Sequence, residues 1–265
     1  MNLKFDKYHG IGNDFLVVEV DDPDQISVER AVRLCDRHFG VGGDGVLLVS
    51  PAATATSRAR MTVINSDGSV PEMCGNGLRC VALHLARGAG EVESTFTIDT
   101  GAGPLDCSVS DLPTGAMVAT AMGAGTPLGT VTAPILGQSQ TFYRIGTGNP
   151  HAICFHDPIS SEELDVVGPA VNQLISGGAN VEIATLKSNT AIEVTVWERG
   201  VGRTLACGTG AAATAIEAVR QGKCPANTTI FVRLPGGPLE ITVSPELTAQ
   251  LRGPAQWVYS GSTAL

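Results

Sequence analysis

Two cysteines open nearly identical motifs, Cys74-Gly75-Asn76-Gly77 and Cys207-Gly208-Thr209-Gly210. An apolar run follows each: Leu78, Val81, Ala82 and Leu85, ending at Gly88, and Ala211 to Val219, ending at Gly222. That pattern predicts a helix with a thiol at its N-terminus and a glycine beyond its C-terminus. The N–H groups and partial positive charge of a helix start favour thiolate over thiol. Lowering a thiol pKa from about 8.5 to about 7 takes roughly 2 kcal/mol. Two such thiols can take a proton from one face of a carbon and return one to the other. That inverts a stereocentre without a cofactor, while the helix N–H groups hold a substrate carboxylate and the charge that spreads into it.

The elements that must position these thiols are also repeated. Asn65 lies nine residues before Cys74, and Glu198 nine before Cys207. Asn13, in Gly10-Ile11-Gly12-Asn13, matches Asn149, in Gly146-Thr147-Gly148-Asn149, and Asp44 matches Asn180 at the same offset of 31. A duplicated domain is expected, with copies over 1–117 and 118–253 and a tail, 254–265, packed back on the first. In the first copy the pattern predicts strands over 2–9, 14–20, 46–49, 61–64, 94–99 and 105–109. It also predicts a helix from Ser27 through His38, burying Val28, Ala31, Val32, Leu34 and Cys35. In the second, strands are expected over 141–145, 152–155, 181–184, 192–196, 230–232 and 239–243, with a helix capped by Ser161 and reaching Ser176.

Composition narrows the function. The 265 residues are 43% hydrophobic and 16% charged, enough for two ordinary globular cores. A net charge of −9, with two tryptophans and three tyrosines, argues against a nucleic-acid partner. Leu112 to Tyr143 carries no charge, but its glycines and prolines predict strands and turns rather than a membrane span. Seven scattered cysteines and no export signal at the N-terminus point to a reduced, cytoplasmic protein. Cys35, Cys80, Cys107, Cys154 and Cys224 read as small apolar residues. No Cys-x-x-Cys or His-Glu-x-x-His occurs, so no metal is expected. Gly208 to Ala213 fits a loose dinucleotide fingerprint but lacks the acidic residue that should follow about 20 positions later.

Gly10-Ile11-Gly12-Asn13-Asp14-Phe15, Asn65-Ser66-Asp67-Gly68, Met73 to Cys80, Gly148-Asn149-Pro150-His151, Trp197-Glu198-Arg199-Gly200 and Ala206 to Gly210 together resemble the diaminopimelate epimerase family, over nearly the whole chain. The resemblance implies an α/β (α+β) fold of two pseudo-symmetric domains. Each is a curled, mainly antiparallel sheet around a central helix, and the active site lies in the cleft between them. It implies a homodimer of the lysine and peptidoglycan precursor pathway that interconverts LL- and meso-diaminopimelate without pyridoxal phosphate or any other cofactor. Cys74 and Cys207 would be the acid/base pair, and the N–H groups of Gly75, Asn76, Gly208 and Thr209 would bind the reacting carboxylate. Asn13 and Glu198 would face the reacting ammonium. Asn65, Asn149, Asn180 and Arg199 would clamp the distal end, and His151 would assist near Cys207. The chain departs from common family patterns at Gly45, where some members have Gln, and at Arg203, where an acidic residue is common. Three other readings remain open at this point: an isomerase or dehydratase of proline-like substrates, a nicotinamide-dependent dehydrogenase, and an amino-acid-binding protein without activity.

Overall fold

A computed structural model describes residues 2–112 and 115–264. The chain divides into two compact units, Met1–Ala121 with Gly253–Leu265, and Met122–Arg252.

The first unit contains β1 (Leu3–Gly10), β2 (Asn13–Glu19), α1 (Val28–Cys35), β3 (Gly45–Ser50), β4 (Ser57–Asn65), α2 (Gly75–Ala89), β5 (Glu93–Thr100), β6 (Gly103–Leu112) and most of β7 (Gly115–Ala124). The second unit contains β8 (Thr126–Ile135), β9 (Gln138–Gly146), β10 (Pro150–Phe155), α3 (Ser161–Gln173), β11 (Asn180–Ser188) and β12 (Ala191–Glu198). It continues with β13 (Gly202–Arg203), α4 (Gly208–Arg220), β14 (Thr229–Leu234) and β15 (Gly237–Val243). The last strand, β16 (Thr248–Thr263), gives its first part to the second unit and the rest to the first.

In the first unit the strands run β1-β2-β3-β4-β5-β6-β7-β16, and β16 pairs again with β1, so the sheet closes on itself. β2/β3 and β4/β5 are parallel, and each such pair needs a crossover; α1 and α2 supply them. α2 fills the inside of the ring. Its Leu78, Val81 and Ala82 pack with Phe15, Val17, Leu47, Val49, Met61, Ile98 and Val118. α1 covers the other face, with Leu34 against Leu16, Val18, Val46 and Leu48. β3 therefore reads as a continuous buried run, because alternate side chains face different helices. Each such aliphatic side chain taken from water contributes about 1.5–3 kcal/mol.

The second unit repeats the pattern. From β9 through β16 the pairings alternate antiparallel and parallel in the same sequence, with α3 and α4 as the crossovers. α3 lies against Phe142, Ile135, Val181 and Ile183, while α4 packs on β9, β10, β11, β14 and β15. The α/β fold read from the sequence, with curled sheets around central helices, is the one observed.

Several local expectations need correction. α1 stops at Cys35 rather than His38, because the Asp36 carboxylate accepts from the N–H groups of His38 and Phe39 at 2.7 and 2.8 Å and turns the chain out. Val28 is exposed and Val32 only half-buried. α2 runs past Gly88 to Ala89, and Gly90 (φ 70°) makes the left-handed cap. α3 is capped by Ser160, whose Oγ accepts from Glu163 N at 3.1 Å, and ends at Gln173. β4 starts at Ser57 and ends at Asn65, longer than the strand expected over 61–64. Asn180 does not correspond to Asp44. His151 pairs with Asn180 as Phe15 pairs with Gly45, so the strand register equates Asn180 with Gly45.

Candidate active site

In the first unit Cys74 is the N-cap of α2. Its backbone is extended, and its sulfur accepts the Gly77 N–H at 3.4 Å. A connected set of polar groups supports it. Arg79 Nη2 donates to Asn76 Oδ1 at 2.8 Å, Asn76 Nδ2 to Asn13 Oδ1 at 3.0 Å, and Asn13 Nδ2 to Asp44 Oδ2 at 2.7 Å. Asp44 and Asp14 share Arg37, and Asp14 also meets Lys7 at 2.5 Å. Burial pushes the Asp14 carboxyl up, but hydrogen bonds from Arg37 and Lys7 outweigh it and hold the group below its usual range. Asn65 is placed differently: it pairs with Gly45 across β3 and β4, and its Nδ2 donates to Ser69 Oγ at 2.9 Å. No side chain fits at Gly45 without a shift, since a Cβ would stand 2.9 Å from the Ile64 carbonyl.

The second unit builds a different environment around the matching thiol. Cys207 is buried at the N-cap of α4, with Thr209 Oγ1 at 3.5 Å from its sulfur. His151, fully buried, sits between Glu182 Oε1 (2.6 Å from Nδ1) and Asn149 Oδ1 (2.8 Å from Nε2). Glu182 is also fully buried, and among the described residues its Oε2 has no hydrogen-bond partner. Glu198 takes a hydrogen bond from Thr204, and burial pushes its carboxyl above the usual range despite hydrogen bonds from Thr204 and Cys207. Asn180 Oδ1 accepts Arg199 N at 2.9 Å, and the exposed Arg199 guanidinium reaches the Gly177 carbonyl.

The thiolate expected at both helix starts is not what surrounds Cys207. Burial pushes its thiol well above the ordinary value, and the Glu198 and Glu182 carboxylates push the same way, outweighing Thr209 and the Gly210 N–H. A helix start lowers a thiol pKa only where the competing charges and desolvation allow it. Arg203 has no part in this: it turns to Asp165 of α3 at 2.9 Å. The other five cysteines are buried with raised pKa values, as apolar residues would be.

Glu182 is the residue the sequence reading passed over. Its only signal was a charge inside the apolar run Val181-Glu182-Ile183-Ala184. The second motif glycine also has a packing reason beyond anion access. A Cβ at Gly77 would stand 2.9 Å from Leu47 Cδ2, and one at Gly210 would stand 2.5 Å from Glu182 Oε1. Leu47 and Glu182 thus fill corresponding places beneath the two helix starts. His151, Glu182 and Cys207 bring a nitrogen, an oxygen and a sulfur within 4.8 Å of one another, a donor set that suits a borderline-soft cation. The 2.6 Å hydrogen bond already joins two of those atoms and suits proton handling better.

Comparison with known proteins decides the family. The family model described as diaminopimelate epimerase matches residues 5–126 and 143–258. The chain belongs to the diaminopimelate epimerase family. A diaminopimelate epimerase of Synechocystis sp. is 38% identical over 286 residues, covering 100% of both chains. One from Synechococcus elongatus is 37% identical over 282 residues, covering 100% of this chain and 99% of its own. Among solved structures, a hydroxyproline epimerase from Agrobacterium vitis superposes with a TM-score of 0.78 at 13% identity, covering 99% of this chain and 91% of that one. A PhzF-family phenazine biosynthesis protein from Bacillus anthracis gives 0.74 at 15%, covering 100% of both. At such identities the family shares its fold with these enzymes, and the fold alone is what they show. Among the described residues, no helix is long and apolar enough to cross a membrane.

Proposed function

We propose that this chain interconverts LL- and meso-diaminopimelate without a cofactor, with Cys74 and Cys207 acting on opposite faces of one α-carbon. The observation that carries this reading is the repeated placement of a thiol at the N-cap of the central helix in each unit, in a chain of this family. One sulfur takes the α-proton while the other thiol donates its own to the opposite face. The N–H groups of Gly75, Asn76, Gly208 and Thr209 hold the reacting carboxylate, where charge develops as the proton leaves. Asn13 and Glu198 face the reacting ammonium, and His151, held by Glu182, assists near Cys207. Asn65, Asn149, Asn180 and Arg199 bind the distal amino-acid end, where a guanidinium can grip a carboxylate bidentately. The direct test is incubation with LL-diaminopimelate followed by separation of stereoisomers. Formation of meso product without added cofactor supports the reading, and its absence from folded protein overturns it.

Distal binding energy should orient the α-carbon, so truncating the substrate should lower turnover as well as binding. Lysine lacks the distal carboxylate. Its kcat/KM is expected to be at least about 10³-fold below that of diaminopimelate, the scale of discrimination reached when a built polar site is left unpaired. Equal kcat/KM values would remove Arg199 and the asparagines from the distal clamp.

The reading extends to a cytoplasmic homodimer, with a small molecule rather than nucleic acid or membrane as its partner. Exposed Trp257, Val258 and Tyr259, consecutive on β16, support a covered surface. Sedimentation at the mass of one 27.3 kDa chain would refute the dimer.

A further inference from the structure

The first unit buries a cation that no carboxylate answers. Arg79, on the second turn of α2, is 0% exposed. Its guanidinium folds back toward the helix start. Nη1 donates to Gly75 O at 3.2 Å, Nη2 to Asn76 Oδ1 at 2.8 Å, and Nε to Pro254 O at 3.3 Å. All three acceptors are neutral, and among the described residues Arg79 takes part in no ion pair. Gly10 makes the room: a Cβ there would stand 3.0 Å from Nη2. The location is electrostatically wrong twice over, because the group is desolvated and because it lies at the positive end of a helix dipole. Buried charges of this kind persist where an anion faces them.

Most titratable groups around this helix start already have partners. From β2 and the loop before β3, Asp14 and Asp44 face it, and Lys7 of β1 and Arg37 already answer them. Tyr8 of β1 and His84 of α2 bond each other farther along the helix, where Arg87 also donates to Tyr8. Cys107 of β6 and Cys80 of α2 are buried thiols, each pushed up to about 12 by burial. β16 presents the Pro254 carbonyl at this place. Cys74 remains. It is half-buried, its sulfur accepts an N–H, and it stands within the turn onto which the guanidinium folds. Burial pushes Arg79 down to about 10, and Cys80 and Cys74 act against that fall. The second unit has no counterpart. Ala212 stands where the motif would place an arginine, and carboxylates lie beside Cys207 instead.

We propose that Arg79 is the buried counter-charge that holds Cys74 as a thiolate in the resting protein, so that Cys74 is the resting proton acceptor and Cys207 the resting donor. The catalytic half of this statement rests on the two-thiol reading above; the charge state of Cys74 does not. Arg79 is a positioning residue, because its action reaches the substrate only through Cys74.

The test is the pH dependence of alkylation by iodoacetamide, read separately at Cys74 and Cys207 by peptide mass spectrometry. In the unaltered protein Cys74 is expected to titrate at about 7 or below, at least one unit under an ordinary thiol, while Cys207 stays unreactive to above about 9. Arg79→Gln should raise the Cys74 midpoint by about one unit or more, a tenfold loss of thiolate at neutral pH, and Arg79→Lys should restore most of the difference. An unaltered-protein midpoint at or above about 8.5 would overturn the proposal even if Arg79→Gln does not fold. So would a folded Arg79→Gln protein with the original Cys74 profile, or an Arg79→Lys shift as large as that of glutamine. Failure to invert diaminopimelate, with a low Cys74 midpoint retained, would reject the epimerase reading and leave the counter-charge standing.

Discussion

With either Cys74 or Cys207 replaced by alanine, inversion of diaminopimelate is expected to fall by at least about 10³-fold, within the range by which general acid–base groups accelerate proton transfer. The two variants should differ from each other. In Cys207→Ala the remaining thiolate can remove and return a proton on its own face, exchanging the α-hydrogen of one stereoisomer with heavy water without inverting it. Cys74→Ala keeps a protonated thiol and should exchange little. The unaltered protein gives the complementary pattern. A thiol carries one proton, so the sulfur that abstracts and the sulfur that donates hold different ones. In heavy water the resting donor has already exchanged, and the first turnover places deuterium in the product. The proton taken from the substrate stays on the opposite sulfur, where an early reversal returns it. Early in the reaction, recovered LL-substrate should remain protiated while meso product is deuterated. Equal early labelling of both isomers, or substantial inversion by either single variant, would show that the paired helix starts do not act as two bases.

Replacing Glu182 is expected to have the next largest effect, through His151. The carboxylate accepts from Nδ1 at 2.6 Å and so fixes the ring's orientation and the nitrogen that carries the proton. Glu182→Leu puts at this place the side chain that Leu47 presents beneath Gly77 in the first unit. The lost hydrogen bond leaves the ring nitrogen unsatisfied at a cost of about 1–3 kcal/mol. The variant should therefore fold. Its kcat should drop about 10- to 100-fold, the usual loss when a partner that orients a histidine is removed, with KM little changed. The Cys207 thiol should also ionise at lower pH, because one of the two carboxylates that raise it is gone. A folded Glu182→Leu protein with unaltered kcat would reduce the dyad to a packing device.

Much of this architecture was legible in the sequence because it rests on local signals. A cysteine, two glycines and an apolar run mark a helix start wherever they occur, and both central helices lie where that pattern puts them. The strands flanking Asn13 and Asn149 follow from alternation and turn residues. What failed depends on relations across the sheet. Equal spacing paired Asn180 with Asp44, whereas the ladder pairs it with the place of Gly45, since one residue fewer separates β10 from β11 than β2 from β3. Glu182 was one charge inside an apolar strand, and only the packing of α4 on β11 shows that it is enclosed. Arg79 was visible as one letter of a motif. Nothing in the spacing told that its guanidinium turns inward onto neutral oxygens.

The path of β16 has a consequence for how the protein is made. The ring of the first unit closes only when Gln256–Thr263 pair with β1, and all of Met122–Arg252 is synthesised in between. On the ribosome, β1 and β7 must wait with unpaired edges while the later, uninterrupted unit emerges whole. Open strand edges of this kind recruit other chains, and a pairing across nearly the full length of the sequence is among the slowest to form. A chain stopped after Arg252 should therefore keep a protease-resistant second unit and lose the first to digestion or aggregation. The half of the molecule translated last becomes the half that is finished first.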